Sequence, residues 1–319
     1  MRKEIQTFAL LSLTLAACGG EADHMVEAVM EGTPAISFPE SILAERGGFV
    51  PEGIEYDSVR ARVLTGSLAE GTIFEFHPDG RISPVITDPD LLSSVGIEVD
   101  EARNRLLVAN SDRDAFTGAS RGQAKLGVYD LITGERLAMV DLGALLTDLP
   151  ADAGLFANDI TVDEAGTIYV TETMNNVIFR VGPDYKASVF HRFAPAEGLA
   201  INGIEYHPDG YLIVTGGSSL FRVPVDNPAG LTPVVVADRI EGQDGLVWMS
   251  NGWLAITSNS ENRVVALGST DGWASASVVG VAPLTTQGTT AARIGDGVYV
   301  VYPHFNDQDP PGVVRAVFE

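Results

Sequence analysis

Thirty-four glycines and seventeen prolines among 319 residues, with few long helix-like stretches, favour a β-rich chain with many turns. A unit of one apolar strand, a turn, a second strand, a polar loop and a third strand recurs along the chain. Its five strong copies are spaced by 43, 63, 44 and 42 residues at one phase of the repeat, occupied by Gly53, Gly96, Asp159, Gly203 and Gly245. Such a period, with about four strands per unit, is typical of a propeller blade. The sequence therefore predicts an all-β fold, a six-bladed β-propeller.

The remaining elements follow from the repeat. A weaker sixth copy begins at residue 290, and the long spacing of 63 residues indicates insertions at 111–126 and 143–157. Because closing the ring removes nearly all free sheet edges, we expect a strand at 35–38 to pair with 313–318 and join the chain ends. Turn sequences that favour positive φ separate the strands: Pro78-Asp79-Gly80, Pro208-Asp209-Gly210, Asn251-Gly252 and Asp296-Gly297.

The first residues are typical of an export signal. A basic pair, Arg2 and Lys3, precedes an apolar run at 8–15 that is too short to cross a bilayer of about 30 Å as a helix. The run ends in Leu-Ala-Ala followed by Cys18, which resembles the bacterial lipoprotein box with lipidation at that cysteine. We expect a signal peptide at 1–17, a lipidated tether at 18–33 and one propeller domain at 34–319. In such lipoproteins Gly19 implies export to the outer membrane, facing the periplasm.

Charge limits the partners of the protein. Forty-three acidic residues against twenty basic ones give a net charge of −23, which repels nucleic acid and anionic lipid head groups. We therefore expect a monomer that binds a small molecule and meets the membrane only through its N-terminal lipid. Cys18 is the only cysteine, so no disulfide stabilises the fold.

Oxygen-bearing side chains recur immediately before the first strand of the blades. In a propeller this strand lines the central channel, so the same repeat position is presented around a common axis. Glu52, Asn158, Asn202 and Asp244 occupy it, whereas the second copy has Val95. Two carboxylates and two amides suit a hard divalent cation, most of all calcium, which takes six to eight oxygen ligands. Each of these residues taken singly also fits a turn former, but their recurrence at one phase favours a metal site.

The same residues carry a resemblance to a known family. Pro51-Glu52-Gly53-Ile54, Asn158-Asp159-Ile160, Asn202-Gly203-Ile204 and Asp244-Gly245-Leu246 resemble motifs of the SMP-30/gluconolactonase/LRE-like family, related to the calcium-dependent phosphotriesterases. The likeness runs from residue 49 to residue 302 and implies a divalent ion, normally calcium, held by the four residues at one channel mouth. It further implies hydrolysis of a lactone or related ester, with Asp244 as general base. Val95 stands where paraoxonase-like relatives have a histidine, so their histidine-assisted mechanism does not carry over.

Two alternatives stay open at the level of sequence. The same channel mouth fits a non-catalytic propeller lipoprotein that binds a metal or ligand, because propellers serve both roles. Phosphotriester hydrolysis would use the same site on a different substrate. The insertion containing Asp112, Arg113, Asp114 and Phe116 fits either a lid over the channel or an ordinary surface loop.

Overall fold

Six antiparallel sheets surround a central channel in a computed structural model that describes residues 38–196 and 198–319. The first short strand, β1 (Ser41–Leu43), belongs to the last sheet. The first blade contains β2 (Ile54–Asp57), β3 (Arg62–Thr65), β4 (Ile73–Phe76) and β5 (Ile82–Ile86). The second contains β6 (Ser93–Asp100), β7 (Arg105–Ser111), β9 (Lys125–Asp130) and β10 (Arg136–Asp141).

The other four blades repeat this order. The third contains β11 (Leu155–Val162), β12 (Ile168–Glu172), β13 (Val177–Val181) and β14 (Ala187–Arg192), with β8 (Gly122–Gln123) added in parallel beside β11. The fourth contains β15 (Ile201–His207), β16 (Tyr211–Gly216), β17 (Ser219–Pro224) and β18 (Thr232–Pro233). The fifth contains β20 (Gln243–Trp248), β21 (Leu254–Ser258), β22 (Arg263–Gly268) and β23 (Ser275–Pro283), with β19 (Val235–Val236) parallel to β23. The sixth contains β24 (Ala291–Ile294), β25 (Gly297–Tyr302), β26 (Gly312–Arg315) and β1.

Helical structure is confined to short turns in the described part of the chain. It consists of five 3₁₀ segments, Glu101–Arg103, Arg113–Thr117, Gly143–Leu145, Pro228–Gly230 and Asn259–Glu261. The predicted all-β fold and six-bladed propeller are therefore confirmed.

The ring closes through contacts between innermost strands and through the chain ends. Each innermost strand contacts the next around the axis, and β24 of the sixth blade contacts β2 of the first. Strand β1 pairs with β26, matching Ile42 to Val313. The predicted closure is thus present, but its position at 35–38 is wrong. Residues 35–37 lie outside the described residues, Phe38 lies in no strand, and the strand that pairs with β26 begins at Ser41, three residues after the predicted end.

The hydrophobic core is divided among the blade interfaces. Six clusters of buried apolar residues are found in the described residues, one between each neighbouring pair of blades. The second strands β7, β12, β16, β21 and β25 are buried at every position because both of their faces pack against other blades. Phe38–Glu319 forms one compact unit held by these interfaces.

Three of the four predicted turn glycines adopt the expected conformation. Gly80, Gly210 and Gly252 have φ of 87°, 84° and 81°. The sixth blade differs, because Gly295 takes the left-handed conformation with φ of 60°. Gly297 instead begins β25, so the prediction placed that turn two residues too late.

Candidate functional site

The polar residues of the channel lie where the strand ladder is interrupted. In β6, β11, β15 and β20 the pairing register shifts across two residues: 95–96, 158–159, 202–203 and 244–245. A bulge of this kind leaves residues outside the ladder and redirects their side chains. Asn158, Asn202 and Asp244 are the first residues of three of these bulges, while Glu52 lies just before β2.

Glycine follows most of these positions because the innermost strands approach one another closely. A Cβ atom at Gly53, Gly96, Gly203 or Gly245 would lie within 3.0 Å of backbone atoms of the next blade. Any larger residue there would force the blades apart. Glycine is therefore a packing requirement at these four positions near the channel axis.

Threonine hydroxyl groups, two of them from second strands, fix the backbone carbonyls of three predicted ligands. Thr171 donates from Oγ1 to the carbonyl of Asn202 (2.6 Å), and Thr215 donates in the same way to the carbonyl of Asp244 (3.1 Å). Thr289 donates to the carbonyl of Glu52 (2.9 Å). All three threonines are fully buried. Each hydroxyl thus holds a ligand-bearing backbone segment of the neighbouring blade in place.

All four predicted ligands line one cavity at the same mouth of the channel. The cavity has a volume of about 570 Å³, within the usual range for small-molecule sites. Glu52, Asn158 and Asp244 are buried, with 7%, 5% and 3% of their surface exposed, and Asn202 is partly buried. The structure therefore brings together the residues that the repeat phase selected.

Neighbouring side chains orient two of these groups. Asn158 donates from Nδ2 to Oγ1 of Thr173 (2.9 Å), which identifies the remaining Oδ1 as the atom available to a ligand. Asn259 donates from Nδ2 to Oδ2 of Asp244 (2.6 Å). These contacts present one amide oxygen and one carboxylate oxygen to the cavity. Thr173 and Asn259 also line the cavity themselves.

Two carboxylate oxygens in the cavity have no partner. Oε2 of Glu52 and Oδ1 of Asp244 are buried without a hydrogen bond, and no other carboxylate oxygen of the described residues is in this condition. Leaving a buried acceptor unpaired is costly, more so when it is charged. Together with the amide oxygens of Asn158 and Asn202, these atoms form a donor set that fits a hard divalent cation.

The electrostatics of the cavity also fit a cation. Burial raises the pKa of Glu52 well above its usual value, and the negative charges of Asp244 and Asp159 raise it further. Burial raises the pKa of Asp244 to about 7, and the hydrogen bond from Asn259 offsets only part of that effect. A divalent ion would supply the positive charge that ionised carboxylates need at this position.

Asp159, which replaces the repeat glycine in the third blade, connects two blades. Its carboxylate accepts hydrogen bonds from the backbone N–H groups of Ile160 (2.9 Å) and of Ile204 in the next blade (3.1 Å). Burial raises the pKa of Asp159 to about 7, although both hydrogen bonds lower it. This residue does not line the cavity, in agreement with the supporting role expected from its phase.

A second group of carboxylates lies at another cavity of the channel. Glu55, Glu98 and Glu205 occupy one position of three innermost strands and line a cavity of about 340 Å³ with Arg293. Burial raises the pKa of all three, to about 8 for Glu55. These glutamates were not predicted from the sequence, although their signal, a repeated Gly-Ile-Glu, is present in three copies of the repeat.

Apolar, polar and strained residues form the remainder of the first cavity, the polar ones including Arg113, Asp114 and Asn306. Phe116 and Thr117 of the second-blade insertion line it, as does Phe305 after β25. The insertion therefore lies against the cavity, as expected if it forms a lid over the channel and not an ordinary surface loop. Val50 and Ala200, also in the wall, have positive φ of 49° and 32°, which residues with a Cβ rarely adopt.

The fold of this chain is similar to solved structures, although its sequence is not close to known families. No protein-family model and no curated protein sequence matches the chain. Among solved structures, the Malassezia sympodialis allergen Mala s 1 is similar with a TM-score of 0.73 and 19% identity, covering 88% of this chain and 96% of the allergen. Regucalcin from Agrobacterium tumefaciens, described as a calcium-binding protein, aligns with a TM-score of 0.60 and 18% identity over 88% of this chain and 95% of its own.

A gluconolactonase from Xanthomonas campestris aligns with a TM-score of 0.58 and 14% identity, covering 85% of this chain and 87% of that enzyme. The fold is that of the SMP-30/gluconolactonase/LRE-like propellers. These structural neighbours agree with the resemblance seen in the motifs of the sequence.

Among the described residues of this propeller, no helix has the length and apolar character needed to cross a membrane.

The raised carboxyl pKa values predict how metal-free protein responds to pH. Folded protein holds protons on Glu52, Asp244 and Asp159 at pH values where unfolded chains have lost them. For Asp244 and Asp159, whose pKa is raised to about 7, the contribution to stability is full below about pH 4 and is lost as pH rises through about 7. We expect the melting temperature in chelator to fall as pH rises from about 4 to 7, and added calcium to restore it most at the higher pH.

A matched pair of variants separates the metal site from the rest of the channel. Glu52→Gln and Glu98→Gln each remove one channel carboxylate, but only Glu52 belongs to the predicted ligand set. The calcium-induced rise in melting temperature should disappear in Glu52→Gln and persist in Glu98→Gln. Equal calcium responses in both variants would contradict the assignment.

Proposed function

We propose that this chain is a calcium-dependent hydrolase of lactones or related esters, with its site at the channel mouth lined by Glu52, Asn158, Asn202 and Asp244. The observation that carries the proposal is the pair of unpartnered carboxylate oxygens, Oε2 of Glu52 and Oδ1 of Asp244, buried in one cavity with two amides. The gluconolactonase and the calcium-binding regucalcin among the structural neighbours support it at the level of fold.

The four side chains would hold the ion through two carboxylate and two amide oxygens. Two carboxylates balance the charge of one divalent cation, and the amides add oxygen atoms without adding repulsion. When bound, calcium supplies a Lewis acid that polarises the carbonyl of a substrate. Thr171, Thr215 and Thr289 keep three of the ligand-bearing backbone segments fixed, so the site is organised before substrate enters.

Asp244 is the residue to which we assign general-base chemistry. Its carboxylate is oriented by Asn259 and lines the cavity in which substrate would bind. In hydrolysis, a water molecule attacks the acyl carbon and gives a proton to the Asp244 carboxylate. The acyl C–O bond of the ring then breaks, and the departing oxygen takes up the proton to give the hydroxy acid. Water and lactone are consumed in equal number, and Asp244 returns to its ionised state.

We also propose that the chain is exported and anchored by lipid at Cys18 in the outer membrane, facing the periplasm. The proposal rests on the sequence, since residues 1–17 and Cys18 lie outside the described residues. Expression of the full chain in a bacterial host should place it in the membrane fraction, and Cys18→Ser should move it to the soluble fraction. If the Cys18→Ser variant remained in the membrane fraction, lipidation at Cys18 would be contradicted.

Neutralising the base should reduce turnover far more than it affects folding. We expect Asp244→Asn to lower kcat/KM for lactones by about a hundredfold or more, the usual size of a general-base contribution. Asp209→Asn, at an exposed turn of the fourth blade, is the matched control and should retain activity. The measurement is a pH-stat assay on a panel of lactones and esters, with calcium and with chelator.

The panel also distinguishes the enzyme from a binding protein. Full activity in Asp244→Asn would remove that residue from the mechanism. Failure to hydrolyse any lactone, ester or phosphotriester, with calcium demonstrably bound, would favour a non-catalytic propeller that binds a metal or small ligand.

A further inference from the structure

The cavity at the channel mouth has an aromatic wall that the proposed hydrolysis does not use. Phe116, in the 3₁₀ segment of the second-blade insertion, packs edge-on against Phe156, with ring centroids 4.5 Å apart and planes at 60°. Phe156 is buried, but Phe116 is 61% exposed. Phe305, 37% exposed, also lines the cavity. Two exposed aromatic rings therefore line the cavity that also contains the predicted ligands.

The insertion holds Phe116 in place through its own hydrogen bonds. The carboxylate of Asp112 accepts from the N–H of Asp114 (3.0 Å), and Oγ1 of Thr117 donates to the carbonyl of Asp114 (2.9 Å). The N–H of Arg113 donates to Oγ of Ser93 in the second blade (3.1 Å). Phe116 is thus presented on a short, hydrogen-bonded turn, which lowers the entropy cost of using it for binding.

Buried apolar side chains also line this cavity. Val50, Leu68 and Val95 line the same cavity and are buried. In the second blade, Val95 occupies the repeat position at which four other blades have a predicted metal ligand. The cavity therefore presents hydrocarbon surface as well as the oxygen atoms of the predicted ligands, and Arg113, Asp114 and Asn306 also line it.

We propose that the substrate is a lactone or ester with a hydrocarbon or aromatic substituent, and that Phe116 and Phe305 determine this specificity. The inference rests on the proposed function, since the polar side of the cavity would engage the reacting carbonyl. The substituent covers Phe116 and Phe305 and removes their exposed surface from water. A polyhydroxylated sugar lactone would instead lose hydrogen bonds to water against this wall.

The test compares calcium-loaded protein on γ-butyrolactone, γ-nonalactone and glucono-δ-lactone. Each methylene that becomes buried should raise kcat/KM up to about fourfold. We expect γ-nonalactone to be preferred over γ-butyrolactone by at least about tenfold, and glucono-δ-lactone to be a poor substrate. Phe116→Ala should reduce the preference for γ-nonalactone by about tenfold. Phe305→Ala is a second, independent variant that should reduce it in the same direction.

The matched control is Ile132→Ala, which removes an exposed apolar side chain (67% exposed) from a turn outside the cavity. It should keep both the activity and the preference. A second readout is independent of turnover: 5-pentyl-2-pyrrolidinone, the lactam counterpart of γ-nonalactone, should raise the melting temperature more than 2-pyrrolidinone does. Phe116→Ala should abolish that difference.

The outcomes separate the two proposals. Absence of turnover on every lactone with calcium bound would overturn the proposed function, whereas the lactam comparison would still report on the aromatic wall. Turnover with a preference for glucono-δ-lactone, or a preference for γ-nonalactone that survives in both phenylalanine variants, would overturn the specificity inference alone.

Discussion

The close approach of the innermost strands at the propeller axis is the constraint on which the site depends. Backbone atoms of neighbouring blades leave no space for a Cβ atom at Gly53, Gly96, Gly203 and Gly245. The strand ladder of four blades shifts register next to this repeat position. The residue before this repeat position is thereby released from the ladder, and Asn158, Asn202 and Asp244 line the cavity from such positions. Packing at the axis and the location of the polar groups are thus one feature of the fold.

The second consequence is electrostatic. Surrounding carboxylates with protein raises their pKa, and in the channel this affects Glu52, Asp244, Asp159 and the three glutamates of the other cavity. Such groups remain ionised only with compensating positive charge. Arg293 lies beside Glu55 and lowers its pKa, but the cavity with the predicted ligands has two carboxylate oxygens without a partner. The proposed cation accounts for that difference between the two cavities.

Much of this architecture could be predicted from the repeat, because strand patterning and spacing are local properties of the sequence. The same alignment places four residues at one repeat position: Glu52, Asn158, Asn202 and Asp244. Because equivalent repeat positions meet at the axis, their proximity could be predicted as well. The closing strand was displaced because its pairing with β26 depends on contacts between residues far apart in the chain. The hydroxyl of Thr171, which fixes Asn202 across a blade interface, was missed for a similar reason. The available signal was a threonine near the end of the second strand of the blade, which recurs as Thr65 and Thr215.

The central claim is that one calcium ion is held by the four channel-mouth residues, and a crystal structure of the protein grown with calcium near pH 8 tests it most directly. The account predicts one strong density peak about 2.3–2.6 Å from carboxylate oxygens of Glu52 and Asp244 and from the side-chain oxygens of Asn158 and Asn202. A calcium ion bound at Glu55, Glu98 and Glu205 instead, with no ion at the four residues, would contradict it.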